Sequence, residues 1–307
     1  MRTHPHPHLQ HTQANGISQA SFEWRPALRG SGPTLWLVHA TGFHARVWDQ
    51  MIAHLPGRHV IATEQRGHGR SQAVDFDDWS AFGQDQAALA QAFQLQGAVG
   101  VGHSMGAHAL VQAAALVPGA FRQLVLIDPV LLAPADYLLP APPAGTLHPA
   151  AGRKNQFASA QAMAARFADR PPYAVFTPQA LQDYCEYGLR PVAHNDGSGG
   201  VFELACAPAF EGKVYPLARS LPGIYACIRA LNIPVLVLRA RPPDPSVMPW
   251  DPLGTPTWAG LAGEFRFGRD LQLMDKTHML PMEDPALAAQ LIADEINRVD
   301  AALAATV

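Results

Sequence analysis

Val99-Gly100-Val101-Gly102-His103-Ser104-Met105-Gly106 is the stretch on which the reading of this chain turns. The apolar run over residues 98–101 has the character of a strand buried on both faces, and it leads directly into an alanine-rich helical pattern over residues 107–117. Between the two stands Gly-x-Ser-x-Gly. A serine on so sharp a strand-to-helix turn needs small neighbours where the backbone passes close, and Gly102 and Gly106 meet that need. Ser104 then projects its hydroxyl above a sheet at the N-terminus of the following helix, where the macrodipole and free N–H groups favour an oxyanion. The plainer reading, an incidental Gly-Ser turn, does not account for the strand before and the helix after.

Working outward, the apolar stretch over residues 34–38 reads as a central strand that ends in His39-Ala40-Thr41-Gly42-Phe43. That loop either carries backbone N–H groups over the serine or is only a strand-to-helix turn. Val60-Ile61-Ala62 is a further short strand, and Gly67 and Gly69 make the loop behind it tight. Residues 79–95 carry apolar positions at helical spacing, with Asp77 and Asp78 near the first turn. Leu124-Val125-Leu126-Ile127-Asp128-Pro129 is the next buried strand, with Asp128 at its C-terminal end. Strands resume over 233–238 and 271–274, and residues 283–299 form a closing amphipathic helix. Residues 17–25 alternate imperfectly, as an edge strand does. Strands separated by helices predict a doubly wound, mostly parallel sheet flanked by helices.

From about residue 131 to residue 232 the strand rhythm breaks, with Pro134, Pro140, Pro143, Pro171 and Pro172 among helical pieces and many aromatics. A structureless loop of that length is improbable, so the segment predicts a helical cap folded over the sheet. The expected organisation is a core of residues 17–132 and 233–307, a cap of residues 133–232, and a flexible His/Pro-rich tail of residues 1–16. In the tail, His4, His6, His8 and His11 alternate with prolines and are assigned no function. Tyr184, Tyr187, Trp250 and Trp258 are candidates to touch a ligand, although packing between cap and core explains each as well.

Composition narrows the classes further. Of 307 residues, 48% are hydrophobic and 15% charged, enough for a large core and incompatible with a disordered chain. A net charge of −3 with scattered Lys and Arg leaves no footprint for nucleic acid. No apolar run is long enough to span a bilayer and no secretory leader opens the chain, so the expected location is the cytoplasm. Cys185, Cys206 and Cys227 are odd in number and far apart, which predicts free thiols and neither a disulfide framework nor a zinc site. No heptad or apolar surface stripe points to an oligomeric state.

Taken together, the chain resembles the α/β-hydrolase fold family in its capped, lid-bearing branch. The resemblance rests on His39-Ala40-Thr41-Gly42 with Trp48, on residues 65–71 (Gln-Arg-Gly-His-Gly-Arg-Ser), on Gly102 to Gly106, on Leu126-Ile127-Asp128-Pro129, and on Lys276-Thr277-His278-Met279-Leu280-Pro281-Met282. It implies Ser104 as nucleophile and His278 as general base, in the expected chain order. It implies the backbone N–H groups of Thr41 and Met105 as the oxyanion hole, with Ala40 where the family commonly has glycine. For the acid it leaves two positions. The commoner place follows residues 235–238 as Gly-x-x-Asp, but here Ala240-Arg241-Pro242-Pro243-Asp244 lacks the glycine and puts Asp244 one residue late. Asp128 occupies the other known place with its register intact, and is the preferred of the two. His39, His44, His68 and His103 are read as structural.

The implied function is that of a serine hydrolase cleaving a small or medium carboxylic ester or lactone through an acyl-enzyme, without metal or organic cofactor, with a small-molecule substrate and with neither nucleic acid nor membrane as partner. Two alternatives use the same residues: a carbon–carbon bond hydrolase of a ring-cleavage product, and a slow-turnover ligand receptor on the same fold. Serine at position 104, in place of an aspartate, argues against epoxide hydrolase and haloalkane dehalogenase chemistry.

Overall fold

Strands that are apolar without alternation need cover on both faces, and the central strands have it. Leu35 and Leu37 enter one buried cluster with Val99, Val101, Val125, Ile127, Leu236 and Leu238. Trp36 and Val38 enter a second with Leu124, Leu126, Val235 and Val237 on the opposite face. A computed structural model describes residues 6–143, 145–192, 201–247 and 251–305. Its main sheet is built from β1 (His8–Ala14), β2 (Ile17–Trp24), β3 (Leu35–Val38), β4 (Val60–Thr63), β5 (Ala98–His103) and β6 (Phe121–Ile127). After an insertion containing β7 (Gln156–Phe157), β8 (Leu189–Val192) and β9 (Val201–Leu204), it is completed by β10 (Val235–Arg239) and β11 (Gly268–Gln272). The order is β1-β2-β4-β3-β5-β6-β10-β11, parallel from β4 to β11 and antiparallel at β1/β2 and β2/β4. This is the doubly wound, mostly parallel sheet that the strand and helix rhythm predicts.

The helices are α1 (Asp49–Ala53), α2 (Ser80–Ala92), α3 (Met105–Leu116), α4 (Ala160–Phe167), α5 (Pro178–Tyr187), α6 (Pro208–Val214), α7 (Ile224–Ala230), α8 (Leu280–Glu283) and α9 (Pro285–Ala304). Helix α3 lies close against β5 and β3 because glycines leave room for it. A Cβ on Gly100 would sit 2.9 Å from a methyl of Leu110 on α3, and one on Gly106 would sit 2.3 Å from the Val38 carbonyl oxygen.

Three features depart from the sequence reading. Residues 8–14, expected within a flexible tail, form edge strand β1. Asn15 (φ 51°) and Gly16 (φ 75°) make a two-residue hairpin turn whose positive dihedrals suit the twist of paired strands, and β1 pairs along β2 from His8/Glu23 to Ala14/Ile17. The segment between β6 and β10 is not wholly helical, since β7, β9 and β8 form a three-stranded antiparallel sheet within it. Helix α7, expected in the cap, packs its Ile224, Tyr225 and Ile228 into the core beside Leu110 and Leu124. His4 and Trp250 lie outside the described residues.

Candidate active site

The turn between β5 and α3 holds Ser104 at φ 56°, ψ −121°, a strained conformation for a residue with a side chain. Strain of this kind persists only where the surroundings over-determine it. Here the Ser104 N–H donates to the Ile127 carbonyl at 3.0 Å, and the Ser104 carbonyl accepts from Ala107 at 3.2 Å and Val130 at 3.3 Å. A Cβ on Gly102 would lie 2.5 Å from the Ala107 Cα, so the glycine before the serine is set by the helix folding back over the strand.

His278 lies in the loop between β11 and α8. Its Nε2 is 3.1 Å from Ser104 Oγ and its Nδ1 is 2.6 Å from Asp128 Oδ2. The loop is pinned on both sides: the His278 N–H donates to Leu253 at 2.9 Å, and its carbonyl accepts from His103 Nε2 at 2.8 Å. Thr277 adds a further tie, its N–H and hydroxyl both donating to Glu283 Oε2 at 2.8 and 2.6 Å.

Asp128 directly follows β6 at φ 44° and is buried. Its Oδ1 accepts from the Ala240 N–H at 3.0 Å and from the Thr255 hydroxyl, while the Thr257 hydroxyl donates to the Pro129 carbonyl at 2.7 Å. Burial alone pushes the carboxyl up; the bonds from His278, Thr255 and Ala240 outweigh it and hold the group below the ordinary carboxylate value. Asp244 is elsewhere. Its carboxylate accepts from the Ser246 N–H and hydroxyl at 2.8 and 2.7 Å, and its own N–H donates to Asp251 at 3.0 Å. The proline-rich loop thus folds Asp244 into a local turn, and Asp128 is the carboxylate that meets the imidazole. Thr255 and Thr257 were not singled out by sequence reasoning. They lie 127 and 129 residues beyond Asp128, and no local pattern marks them.

The other histidines of the motifs each hold a backbone hydrogen bond and are neutral, although His44 Nδ1 and His68 Nε2 have no partner among the described residues. His39 Nδ1 donates to the Ala40 carbonyl at 2.7 Å while its Nε2 accepts from Gln65, and His68 Nδ1 donates to Arg66 at 2.8 Å. Burial drives His44 and His103 down to about 3 and His68 to about 4, so none is charged near neutrality.

Thr41 and Met105 come together across this turn, with the Thr41 hydroxyl donating to Met105 Sδ at 3.4 Å. Among the described residues, neither backbone N–H has a hydrogen-bond acceptor. Gly42, next to Thr41, turns at φ 77° beneath Glu211, whose Oε1 would lie 2.6 Å from a Cβ there. Glu211 is fixed by Arg153 at 2.6 Å, and Arg153 also donates to the Tyr184 hydroxyl at 3.1 Å. Through this network the insertion touches the loop that carries Thr41.

Ser104, His278 and Thr41 open into a cavity of about 1060 Å³ whose walls also include Phe167, Tyr173 and Tyr215. The aromatics first considered lie outside it: Tyr184 packs on Phe43, Tyr187 lies under Arg46 and Trp258 packs on Tyr225. Among the described residues no cluster of three or more His, Cys, Asp or Glu suits a metal ion, and no helix is long and apolar enough to cross a membrane.

Comparison with known proteins bears on this geometry. Residues 37–291 match the model of the "Alpha/beta hydrolase family". The chain is 30% identical to a 2-(acetamidomethylene)succinate hydrolase of Mesorhizobium japonicum, over 69% of its own length and 72% of the relative's. It is 36% identical to a bifunctional esterase/perhydrolase of Acinetobacter calcoaceticus, over 31% of its length and 34% of that protein's. A solved structure of E-2-(acetamidomethylene)succinate hydrolase superposes with a TM-score of 0.71 at 25% identity, covering 95% of this chain and 100% of that one. With the sheet order, the serine turn and the family match all in agreement, the chain belongs to the α/β-hydrolase family.

Proposed function

We propose that the protein is a serine hydrolase that cleaves a small or medium carboxylic ester or lactone through an acyl-enzyme on Ser104. The observation that carries this reading is the hydrogen-bonded series Ser104 Oγ, His278 Nε2, His278 Nδ1 and Asp128 Oδ2, with links of 3.1 and 2.6 Å, opening into the cavity. A serine hydroxyl is a weak nucleophile at neutral pH and needs a base within reach. In the proposed cycle Ser104 attacks the acyl carbon as His278 Nε2 takes its proton. Asp128 orients the ring and stabilises the imidazolium. The unpaired N–H groups of Thr41 and Met105 receive the oxyanion, where one lost donor costs on the order of 3 kcal/mol. His278 then protonates the leaving group and activates the water that frees the acid. On this reading residues 133–223 form the cap and α7 belongs to the core.

Labelling by a fluorophosphonate and hydrolysis of nitrophenyl esters of increasing acyl length test the proposal in wild type and Ser104→Ala. We expect labelling and multiple turnover in the wild type and neither in the variant. A folded wild type that the probe does not label overturns the reading, and hydrolysis that stops near one equivalent of product selects the receptor alternative. The relative matched over 69% of the chain makes 2-(acetamidomethylene)succinate a second candidate substrate. Turnover of that compound with no ester hydrolysed would favour the second reading.

A further inference from the structure

The cavity that receives Ser104 and His278 has an uneven distribution of charge. Four cations line it, Arg153, Lys154, Arg166 and Arg170, and all four belong to the insertion. The carboxylates on its walls are Glu211, Asp244 and Asp251. Glu211 is bound to Arg153 at 2.6 Å, and Asp251 is bound to Arg241 at 2.7 Å. Asp244 is engaged with Ser246. Lys154, Arg166 and Arg170 have no carboxylate partner among the described residues, and all three are exposed at the mouth. Arg166 in the last turn of α4 also complements that helix dipole, but the dipole needs one cation and does not explain three lining one cavity.

We propose that Arg166 and Arg170, with Lys154 beside them, recognise an anionic group on the substrate, so that the preferred acyl compound carries a free carboxylate away from the scissile bond. This rests on the serine hydrolase reading above and specifies the substrate class for the same site. An Arg guanidinium pairs with a carboxylate through two parallel N–H donors, a geometry no neutral acyl chain reproduces. A group of like charges at the mouth also draws an anion toward the serine, an effect that salt weakens. Phe167 and Tyr173 line the same cavity as the cations and Ser104 and give it apolar surface against which a methylene chain can pack.

The test compares nitrophenyl monoesters of glutaric to suberic acid with nitrophenyl esters of neutral acids of equal carbon number, with Ser104→Ala giving the background. For at least one chain length, kcat/KM for the acidic ester should exceed that for the neutral one by about tenfold at low ionic strength, and the ratio should shrink as salt is added. In the double variant Arg166→Gln, Arg170→Gln the ratio should fall to within about threefold of one, while Arg166→Lys, Arg170→Lys keeps part of it. Because both esters meet the same protein preparation, partial unfolding does not change the ratio. If labelled enzyme turns over neither ester, protection of Ser104 from the fluorophosphonate by adipate, set against hexanamide, reads the same preference. A wild-type ratio near one without such protection, or a ratio indifferent to both arginines, overturns the anion proposal and leaves the hydrolase reading standing. Failure of Ser104 to label at all overturns both.

Discussion

At the scale of single residues, the choice between two aspartates is the most exposed claim. Asp128 Oδ2 stands 2.6 Å from His278 Nδ1, whereas Asp244 is bound within its own turn. Asp128→Asn should therefore lower kcat by about 10³- to 10⁴-fold, because an amide favours the wrong imidazole tautomer. Asp244→Asn should stay within about threefold of wild type. The reverse pattern in nitrophenyl ester kinetics would move the acid to the proline-rich loop. Thr255 offers a finer test. Its hydroxyl donates to the buried Asp128 Oδ1, so Thr255→Val leaves that oxygen with the Ala240 N–H as its main donor. Losing one donor to a buried charge costs about 1–3 kcal/mol. We expect both a lower melting temperature and a kcat about tenfold lower, and an unchanged kcat would mean that Thr255 serves stability alone.

At the scale of elements, close approach of α3 to the sheet depends on absent side chains. A Cβ at Gly106 would meet the Val38 and His39 carbonyl oxygens at 2.3 and 2.4 Å, and backbone cannot swing aside as a flexible side chain can. Gly106→Ala should cost about 2 kcal/mol or more in urea unfolding, whereas Gly57→Ala, with nothing within 4 Å of the new Cβ, should be near neutral. The β1/β2 hairpin gives a matching test at the edge. Gly16 turns at φ 75° with open space around it, so Gly16→Val is resisted by backbone conformation and not by crowding. Hydrogen exchange should quicken across residues 8–14 in that variant and stay slow in β5, and uniform protection would show that the turn does not set the strand.

At the scale of the whole molecule, acid sensitivity follows from how many histidines are buried neutral. Burial holds His44, His103 and His108 at about 3 and His68 at about 4, against 6.5 for the free side chain, and His39 is lowered as well. Below pH 6.5 the unfolded chain takes up protons that the folded one refuses. Their stabilising contribution is therefore complete above pH 6.5 and declines as pH falls toward 3–4. Glu64 and Glu211, whose carboxyls burial raises, act in the opposite sense as pH rises through their folded values, but five histidines outnumber them. Melting temperature should fall steadily between pH 6.5 and 4, with the slope reduced in His108→Gln; a level profile across that range would contradict the assignment of these rings as neutral.

What the sequence by itself determined is local or ordered along the chain. Continuous apolar runs marked strands covered on both faces, Gly-x-Ser-x-Gly marked the turn, and the order of Ser104 before His278 named the pair that lies 3.1 Å apart. Asn15-Gly16 is a hairpin turn signal of the same local kind, but the histidines and prolines over residues 4–8 have the composition of a mobile tail, and only pairing along β2 orders residues 8–14 as a strand. Tertiary structure decided the rest. Which carboxylate meets the imidazole depends on a contact between residues 150 apart and on how three prolines fold one loop, neither of which a window of sequence contains. Strands β7, β8 and β9, of two to four residues, are too short to show a period of two, so their pairing appears only when the chain has brought them together. The same holds for the cations at the cavity mouth. Arg166 and Arg170 are ordinary surface residues of a helix and its turn until the insertion folds over the sheet and brings them to the cavity that Ser104 lines.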